Sequence, residues 1–494
     1  MGQTVGDYLL ERLRAWDVRH VFGYPGDGIN GILAAWGRAD NEPQFIQARH
    51  EEMAAFEAVG YAKFTGRVGV CAATSGPGAI HLLNGLYDAK LDHVPVVAIV
   101  GQTSRSAMGG SYQQEVDLLS LFKDVASEYV QMVTVPEQLP NVLDRAVRVA
   151  LAERAPAAVI IPSDVQELAY TAPAHAFKMV PSSIGTDWPV PAPGDAAVAR
   201  AAEVLNAGSK VAILAGQGAR GARRELEEVA ELLGAGVAKP LLGKDVLSDE
   251  LPYVTGAIGL LGTRPSYELM MNCDTLLTVG SNFPYTQFLP EFGQARGVQI
   301  DIDGKFIGMR YPYEVNLVGD AAATLRALIP LLKRQEDRSW RESIEARVDR
   351  WWRSMDAEAE VAADPVNPML PGLGPGPARP GPLRAGRIMF GAVLAGRDRG
   401  HGGHEGNRGA VRRGRHPGRH QLPARSDLVA GVRPGRSHGG HDRYPPVDRH
   451  GLGPAARPAA PRRPGPGCRR GPAHVSQRPV RRLLVPPAAA TAGR

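Results

Sequence analysis

The sequence predicts an α/β protein with two doubly wound parallel-sheet domains, followed by a largely disordered tail rich in Arg, Pro and Gly. Three observations support this fold class. The chain has 494 residues, which is too long for a single core. Short apolar segments alternate with helix signals through residues 1–167 and again through 193–335, as in parallel sheets covered on both faces. From residue 369 onward, no helical or strand period persists.

The first domain, 1–167, contains five strand signals with helices between them. Thr4 and Asp7 resemble a capping box, with Asp in place of the usual Glu, and we expect a helix there. The predicted strands are 21–23, 45–46, 68–73, 96–100 and 159–161. The predicted helices are 51–66, 79–90 and 137–153.

The second domain, 193–335, follows a linker at 168–192 that is rich in Pro, Ser and Ala. We expect strands at 211–214, 276–279 and 298–302 and helices at 222–233 and 322–332. Residues 336–368, with Trp340, Trp351 and Trp352, are predicted to form a helical connector.

The charge of the chain is divided between an acidic body and a basic tail. Residues 371–494 contain 24 Arg, no Lys and five acidic residues, a net charge of +19, so the remainder carries −13. Such a tail cannot bury enough apolar surface to offset its ordering entropy, and 369–494 is predicted to be disordered. The Arg residues are evenly scattered without interleaved aromatics, which argues against a nucleic-acid or lipid partner.

Glu51 is the first candidate functional residue. It begins a predicted helix directly after a strand, at the carboxyl edge of the sheet, where open α/β sheets bind ligands. A carboxylate in a dry pocket on a rigid element can act in proton chemistry. The plainer interpretation is that Glu51 and Glu52 only favour a helix N-terminus.

Several sequence motifs extend beyond this one residue. Residues 49–56 read RHEEMAAF and 60–62 read GYA; SGPG follows at 75–78, His81, NGL at 84–86, DA at 88–89, HVPV at 93–96 and GSYQQE at 110–115. In order and spacing they resemble the thiamine-diphosphate-dependent pyruvate oxidases and acetolactate synthases. The resemblance covers residues 4–335 and is strongest for bacterial pyruvate oxidases.

The resemblance implies roles for individual residues of the first domain. Glu51 would bind N1′ of the aminopyrimidine ring of thiamine diphosphate, so that the cofactor's own amino group becomes a base. The residues expected to line or border that ring are Pro25, Gly26, Thr74, Ser75, Gly76, Pro77, Gly78 and His81. Gln114 would lie near the substrate, beside Gln113, where the family usually has Phe. The lysine that acetolactate synthases carry further on has no counterpart in 124–129.

The second domain contains a G-x-G-x-x-G motif at 216–221, after a strand and before a helix. A nicotinamide site is disfavoured, because Lys239 and Pro240 stand where an acidic residue is needed. The resemblance implies FAD instead, held by Gly216, Gln217, Gly218, Gly280, Ser281, Asn282, Phe283, Asp301, Asp303 and Asp320. The alternative is a degenerate nucleotide fold that binds nothing.

Members of this family need a third domain that holds the diphosphate through Mg²⁺, with a GDG motif and a later Asn. Residues 371–494 contain no such motif, and the GDG at 26–28 lies in the first domain. We therefore assign no metal ligand. We interpret the tail as the product of a reading-frame change near residue 370, because out-of-frame reading of a GC-rich gene gives Arg, Pro, Gly and Ala without Lys.

The resemblance implies oxidative decarboxylation of a 2-oxo acid such as pyruvate, with oxygen or a quinone as acceptor, in a homodimer or homotetramer. This activity is expected to be impaired in a chain that lacks the diphosphate domain. An acetolactate synthase-like or non-oxidative carboligase or decarboxylase is the first alternative. A catalytically inactive product, or a flavin-binding or interaction protein, is another.

The remaining polar and sulfur-containing residues give weaker indications. His50, His81 and His93 have no spacing that groups them as a metal site. Cys71, Cys273 and Cys468 have no metal or redox spacing, and no secretory signal is visible. We expect a cytoplasmic protein, with peripheral contact at the inner membrane as an option.

Overall fold

The computed structural model describes residues 2–170, 172, 182–185, 189–362 and 367. The predicted disordered tail at 369–494 lies outside the described residues, as does most of the predicted linker. All described residues fall within one unit, Met1–Gly403. None of the helices in these described ranges is long and apolar enough to cross a membrane.

The first domain is a six-stranded parallel sheet in the order β2-β1-β3-β4-β6-β5. Its strands are β1 (His20–Gly23), β2 (Gln44–Gln47), β3 (Gly69–Ala73), β4 (Val96–Gln102), β5 (Val130–Met132) and β6 (Pro156–Pro162). Its helices are α1 (Val5–Ala15), α2 (Asn30–Arg38), α3 (Glu51–Thr65), α4 (Pro77–Leu91), α5 (Leu118–Phe122), α6 (Leu139–Glu153) and α7 (Ser163–Gln166).

Local signals explain where these helices begin and end. Thr4 and Asp7 form the predicted capping box of α1. His50 caps α3 through Nδ1, and Gly66 ends that helix in the left-handed conformation at φ 71°. Pro77 occupies the first turn of α4, so this helix begins two residues earlier than predicted. The predicted strands of this domain are present, whereas β5 and the helices α2, α5 and α7 were not predicted.

Both faces of the first sheet are covered. Apolar residues from α1, α2 and α6 pack on one face, and those from α3, α4 and α5 pack on the other. Every residue of β3, β4 and β6 is buried. The predicted doubly wound parallel sheet is therefore confirmed.

The second domain repeats this architecture in the order β12-β11-β10-β7-β8-β9, again with every pair parallel. Its strands are β7 (Val211–Ala215), β8 (Gly236–Lys239), β9 (Val254–Ala257), β10 (Thr275–Val279), β11 (Arg296–Asp301) and β12 (Val315–Val318). Its helices are α8 (Asp195–Asn206), α9 (Arg223–Leu232), α10 (Arg264–Asn272), α11 (Ala321–Leu328) and α12 (Ser339–Ala359). The strands β8, β9 and β12 and the helices α8 and α10 were not predicted.

Helix α12 occupies the predicted connector and packs against the second sheet. Trp340, Ile344 and Trp352 join the apolar cluster that contains residues of β7, β10 and α10. Nε1 of Trp340 donates to the carbonyl of Val211 over 3.0 Å. This helix therefore covers one face of the second sheet.

Candidate functional site

Each sheet has a topological switch point, where successive connections leave in opposite directions. In the first sheet the switch lies between β1 and β3, and in the second it lies between β7 and β10. Crevices at the carboxyl ends of such strands are the usual ligand sites of open α/β sheets. The loop after β1, the loop after β3 and the start of α3 meet at the first of these crevices.

Glu51 is buried at the first position of α3, with 8% of its surface exposed. The strand β2 places it at the sheet edge, and the N-terminal end of the helix dipole favours its negative charge. Nδ1 of His81, on α4, lies 3.0 Å from Oε2 of Glu51. This contact occupies one carboxylate oxygen and leaves Oε1 directed toward Gly78.

Two glycines, Gly78 beside this carboxylate and Gly26 in the loop after β1, pack closely against Thr74. A β-carbon on Gly78 would lie 2.6 Å from Cγ2 of Thr74 and 3.0 Å from Oε1 of Glu51. A β-carbon on Gly26 would lie 2.5 Å from the β-carbon of Thr74. Because side chains are excluded at both positions, the two loops approach each other closely around Thr74. Pro25 precedes this contact and is partly buried.

The loop at 110–115 closes one side of the crevice. Oγ of Ser75 donates to Oε1 of Gln114 over 3.0 Å. Gly76 has φ 62°, and a β-carbon there would lie 2.8 Å from the carbonyl oxygen of Gln114. The structure therefore brings Gln114 to the predicted site, whereas Gln113 is exposed.

A buried glutamine that the sequence analysis missed supports the loop after β1. Nε2 of Gln166 donates to the carbonyls of Gly28 and Ile161, both within 2.9 Å. The backbone N–H of Gly28 donates to Oγ1 of Thr74 over 2.8 Å, and Asp27 accepts from Gly28. The GDG at 26–28 thus fixes loop geometry. The one signal in the sequence is the position of Gln166, a few residues after the last predicted strand of the first domain.

Two histidines meet at Glu51, although their spacing had not grouped them. The rings of His50 and His81 are 4.3 Å apart, and ligand atoms of His50, Glu51 and His81 lie within 4.8 Å of one another. His93 lies elsewhere, with its ring 4.8 Å from that of Phe306 in the second domain. The structure thus brings His50 and His81 together at Glu51, a proximity that their spacing in the sequence did not indicate.

A cavity of about 1310 Å³ lies at the switch point of the second sheet. Of the predicted nucleotide-site residues, Gln217, Gly218, Gly280, Ser281, Asn282, Phe283, Asp301 and Asp320 line it. Asp92, His93 and Arg154 of the first domain complete one wall, and Nε2 of Gln217 donates to the carbonyl of Asp92 over 2.9 Å. The volume exceeds the roughly 300–1,000 Å³ of typical small-molecule sites and suits a dinucleotide.

The G-x-G-x-x-G motif lies between β7 and α9, as expected from the sequence, and α9 begins one residue after its predicted start. A 3₁₀ turn, Gln217–Ala222, follows Gly216, and α9 begins only at Arg223. A β-carbon on Gly216 would lie 2.3 Å from the carbonyl oxygen of Gly280. These two glycines are thus required for close contact between the loops after β7 and β10.

The three acidic residues predicted for this site differ in environment. Asp301 is 8% exposed, and burial raises the pKa of its carboxyl, although the backbone N–H of Asp303 partly offsets this. Asp303 and Asp320 use Oδ1 to accept from the backbone N–H groups of Lys305 and Ala323, respectively. Asp301 and Asp320 line the cavity, whereas Asp303 is not part of its wall.

Cationic side chains also line the cavity, although none of them was among the predicted nucleotide-site residues. Arg154, Arg220, Lys244 and Arg310 line it, and Nε of Arg310 donates to Oδ1 of Asn282 over 3.0 Å. Arg220 lies within the G-x-G-x-x-G motif, whereas Arg154 and Arg310 come from distant segments that no local motif connects. Guanidinium groups bind phosphate oxygens through charge-assisted hydrogen bonds, which fits a pyrophosphate ligand.

Two linked parallel-sheet domains, with a buried carboxylate in the first and a nucleotide-sized cavity in the second, define the class of thiamine-dependent α/β enzymes. Family models agree. The N-terminal TPP binding domain of thiamine pyrophosphate enzymes matches residues 3–121, and their central domain matches 198–328. The chain belongs to the thiamine pyrophosphate enzyme family.

Individual relatives give the same result. A Bacillus subtilis protein described as thiamine pyrophosphate-containing is 38% identical over 74% of this chain and 62% of its own length. An uncharacterized 42.6 kDa protein of Pseudomonas amyloderamosa is 39% identical over 68% of this chain and 83% of its own. Pyruvate oxidase of Lactiplantibacillus plantarum is 35% identical over 70% of this chain and 57% of its own. The match thus spans less than two thirds of the first and third relatives.

Proposed function

We propose that this chain carries the aminopyrimidine half of a thiamine-diphosphate active site of the pyruvate oxidase type. The observation that carries the proposal is the buried carboxylate of Glu51 at the first position of α3, with Oε1 beside Gly78 and the loop containing Thr74. A ring nitrogen of an aminopyrimidine needs such a partner, held on a rigid helix in a site of low polarity.

The described residues have the chemistry needed for this half of the cofactor. Glu51 would share a proton with N1′ of the aminopyrimidine ring, while His81 fixes the orientation of the carboxylate through Oε2. The loops containing Pro25 and Thr74 would line the ring, and Gln114 would face the substrate. When bound, thiamine diphosphate supplies a nucleophilic carbon and an electron sink for decarboxylation of a 2-oxo acid.

FAD is the proposed ligand of the second cavity. Asp301 would bind its ribose, and the cationic side chains around the cavity would bind its pyrophosphate. When bound, FAD accepts the electron pair released by oxidative decarboxylation and passes it to oxygen or a quinone. Pyruvate is the proposed substrate, by analogy with the pyruvate oxidase relative.

A homo-oligomeric state is part of the proposal. Met53 and Phe64 on α3 and Ile80 on α4 are exposed apolar side chains, and Phe64 is 93% exposed. Exposed apolar side chains on neighbouring helices are candidates for an association surface. Analytical ultracentrifugation measures the mass of the particle in solution. The variant Phe64→Glu is expected to shift this mass toward that of the monomer.

Two variants of the same helix test the role of Glu51. Titration calorimetry should show weak binding of thiamine diphosphate with Mg²⁺, at least tenfold weaker again in Glu51→Gln. Glu57→Gln is the matched control, because Glu57 is an exposed carboxylate on the same helix α3. Equal binding by wild type and Glu51→Gln would contradict the assignment.

A turnover assay separates the candidate reactions. With pyruvate, thiamine diphosphate, Mg²⁺, FAD and an artificial quinone, we expect little turnover, all of it dependent on the quinone and on Glu51. Formation of acetolactate without an acceptor would favour the second candidate, since acetolactate synthases are also among the relatives, at 33% identity for that of Arthrospira platensis. Flavin binding without any turnover would favour the inactive product.

We also propose that a reading-frame change near residue 370 explains the tail. The basis is its composition, with 24 Arg and no Lys in residues 371–494. The nucleotide sequence around codon 370 tests this directly. A shifted frame that encodes GDG and a later Asn would support the proposal, and one unbroken frame that encodes a similar tail in related genes would contradict it.

A further inference from the structure

We propose that His50, Glu51 and His81 form a binding site for a divalent transition-metal ion of the zinc class. The site shares Glu51 with the proposed thiamine site but does not depend on cofactor binding. Among the described residues, this is the one group of His, Cys, Asp and Glu side chains placed to hold a metal ion together. Each of the three residues contributes one ligand atom.

The distance between Glu51 and His81 is close to that between two ligands of a tetrahedral metal site, and His50 lies somewhat further away. The three ligand atoms lie within 4.8 Å of one another, and Nδ1 of His81 is already 3.0 Å from Oε2 of Glu51. Metal–ligand bonds of about 2.0–2.1 Å place tetrahedral ligands roughly 3.3 Å apart. A metal ion between Glu51 and His81 would therefore replace their hydrogen bond with little movement, and only His50 must approach further.

The ligand set indicates which metal ions can bind. Two imidazoles and one carboxylate suit Zn²⁺, Co²⁺ or Cu²⁺, whereas Mg²⁺ prefers oxygen ligands. The side chains of His50 and His81 are 44% and 42% exposed, so an ion can reach the site from solvent. Three protein ligands leave one position open for water.

A second carboxylate can orient His50. Nδ1 of His50 lies 3.9 Å from Oε2 of Glu52, whose other oxygen accepts from Nδ2 of Asn84. Metal-bound histidines usually donate their second ring N–H to a carboxylate. In the structure, Nδ1 of His50 accepts from the backbone N–H of Glu52 and so caps α3. If Nε2 of His50 binds the metal, Nδ1 can carry a proton and donate it to the carboxylate of Glu52 instead.

Titration of the full chain with Co²⁺ and Zn²⁺ tests the site. The protein is first freed of metal with a chelator and kept without thiamine diphosphate, so failure of the cofactor assignment cannot affect the result. Visible absorption reports Co²⁺ coordination, and a chromophoric chelator reports the affinity for Zn²⁺. The test variants are His50→Asn, which retains a helix-capping side chain, and His81→Gln.

The matched control is His93→Gln, which removes a histidine outside this cluster. Histidines in residues 369–494 are unchanged in every variant, so the differences between variants report this cluster alone. We expect each test variant to lose one equivalent of bound metal or to bind Zn²⁺ at least tenfold more weakly, with His93→Gln unchanged.

Two results would overturn the proposal. One is wild-type stoichiometry and affinity in both test variants, and the other is the same loss in His93→Gln. Far-UV circular dichroism checks that each variant is folded. If His81→Gln fails to fold, His81→Cys must restore the Co²⁺ spectrum with a new thiolate absorption band, because a thiolate can replace the imidazole as ligand.

Discussion

The α-carbon of Gly78 faces the carboxylate of Glu51 so closely that a β-carbon on Gly78 would lie 3.0 Å from Oε1 of Glu51. The two residues are 27 positions apart and belong to neighbouring helices, α4 and α3. The close packing of α3, α4 and the loop after β3 at this point therefore has no room for a side chain at position 78.

Gly78→Ala should destabilise the first domain. The new methyl group would lie 2.6 Å from Cγ2 of Thr74, and overpacking of this kind costs about 1–3 kcal/mol. Gly60→Ala is the matched control, because no atom lies within 4 Å of a β-carbon there and Ala is favoured within a helix. Urea unfolding should show a lower midpoint for Gly78→Ala and an equal or higher one for Gly60→Ala. Equal midpoints in both variants would show that the crevice is not rigid.

Asp144→Ala should be strongly destabilising. Asp144 is fully buried and accepts from Nε of Arg12 and Nε1 of Trp16, each over 2.8 Å. Removing one partner of a buried ion pair costs about 3–5 kcal/mol, because the other charge stays desolvated. Asp349→Ala is the control, because it removes an exposed ion pair with Arg353. It should change the free energy of unfolding by less than about 0.5 kcal/mol. Similar losses in the two variants would contradict this distinction.

Local signals allowed much of the first domain to be predicted. The capping box of Thr4 and the left-handed Gly66 depend on neighbours within a few residues, so the sequence itself contains the evidence. The apolar strands were recognised for the same reason. The short edge strand β5 was missed, because three partly exposed residues give no apolar run.

Contacts between distant segments could not be predicted in this way. Gln166 and Gly28 are 138 positions apart, and the grouping of His50 with His81 depends on how α3 packs against α4. Glu51 was identified because the family motifs surround it, although no local rule distinguishes it from Glu52. Family resemblance thus supplied the candidate site, and the tertiary structure supplied its supporting residues.

Arg310→Gln should weaken FAD binding. Its guanidinium lies at the cavity beside Asn282, where a charge-assisted hydrogen bond to phosphate contributes about 1.5–3 kcal/mol. We therefore expect at least a tenfold higher Kd, measured by quenching of flavin fluorescence. Arg353→Gln, on the exposed face of α12, is the control and should leave the Kd unchanged. An unchanged Kd in Arg310→Gln would place the pyrophosphate elsewhere.

Asp301→Asn should stabilise the protein at neutral pH. Burial raises the pKa of the Asp301 carboxyl above 3.8, so the folded state holds this proton more tightly than the unfolded state. Stability from this group therefore falls as pH rises from 3.8 through the folded pKa, and the charged form carries the full cost at pH 7. The amide still accepts from the N–H of Asp303 without that charge. In urea unfolding, the free energy of unfolding of Asp301→Asn should exceed that of wild type at neutral pH, and the difference should decrease toward acid pH. A lower free energy of unfolding than wild type at neutral pH would contradict the prediction.

His93 should make stability decrease in mild acid. Burial and the nearby charge of Arg154 lower the pKa of its imidazole below 6.5, so the unfolded state takes up this proton first. Below pH 6.5 the unfolded state therefore binds more protons than the folded state. The free energy of unfolding decreases over this range until the pH has passed the pKa of His93 in the folded state. His93→Gln removes this component, so the variant should lose less stability than wild type between about pH 7 and about pH 5. His50→Gln is the control, since His50 lies at the first crevice and away from Arg154. The measurement is the free energy of unfolding in urea at several pH values. If it falls equally with pH in wild type and His93→Gln, His93 does not cause the loss of stability.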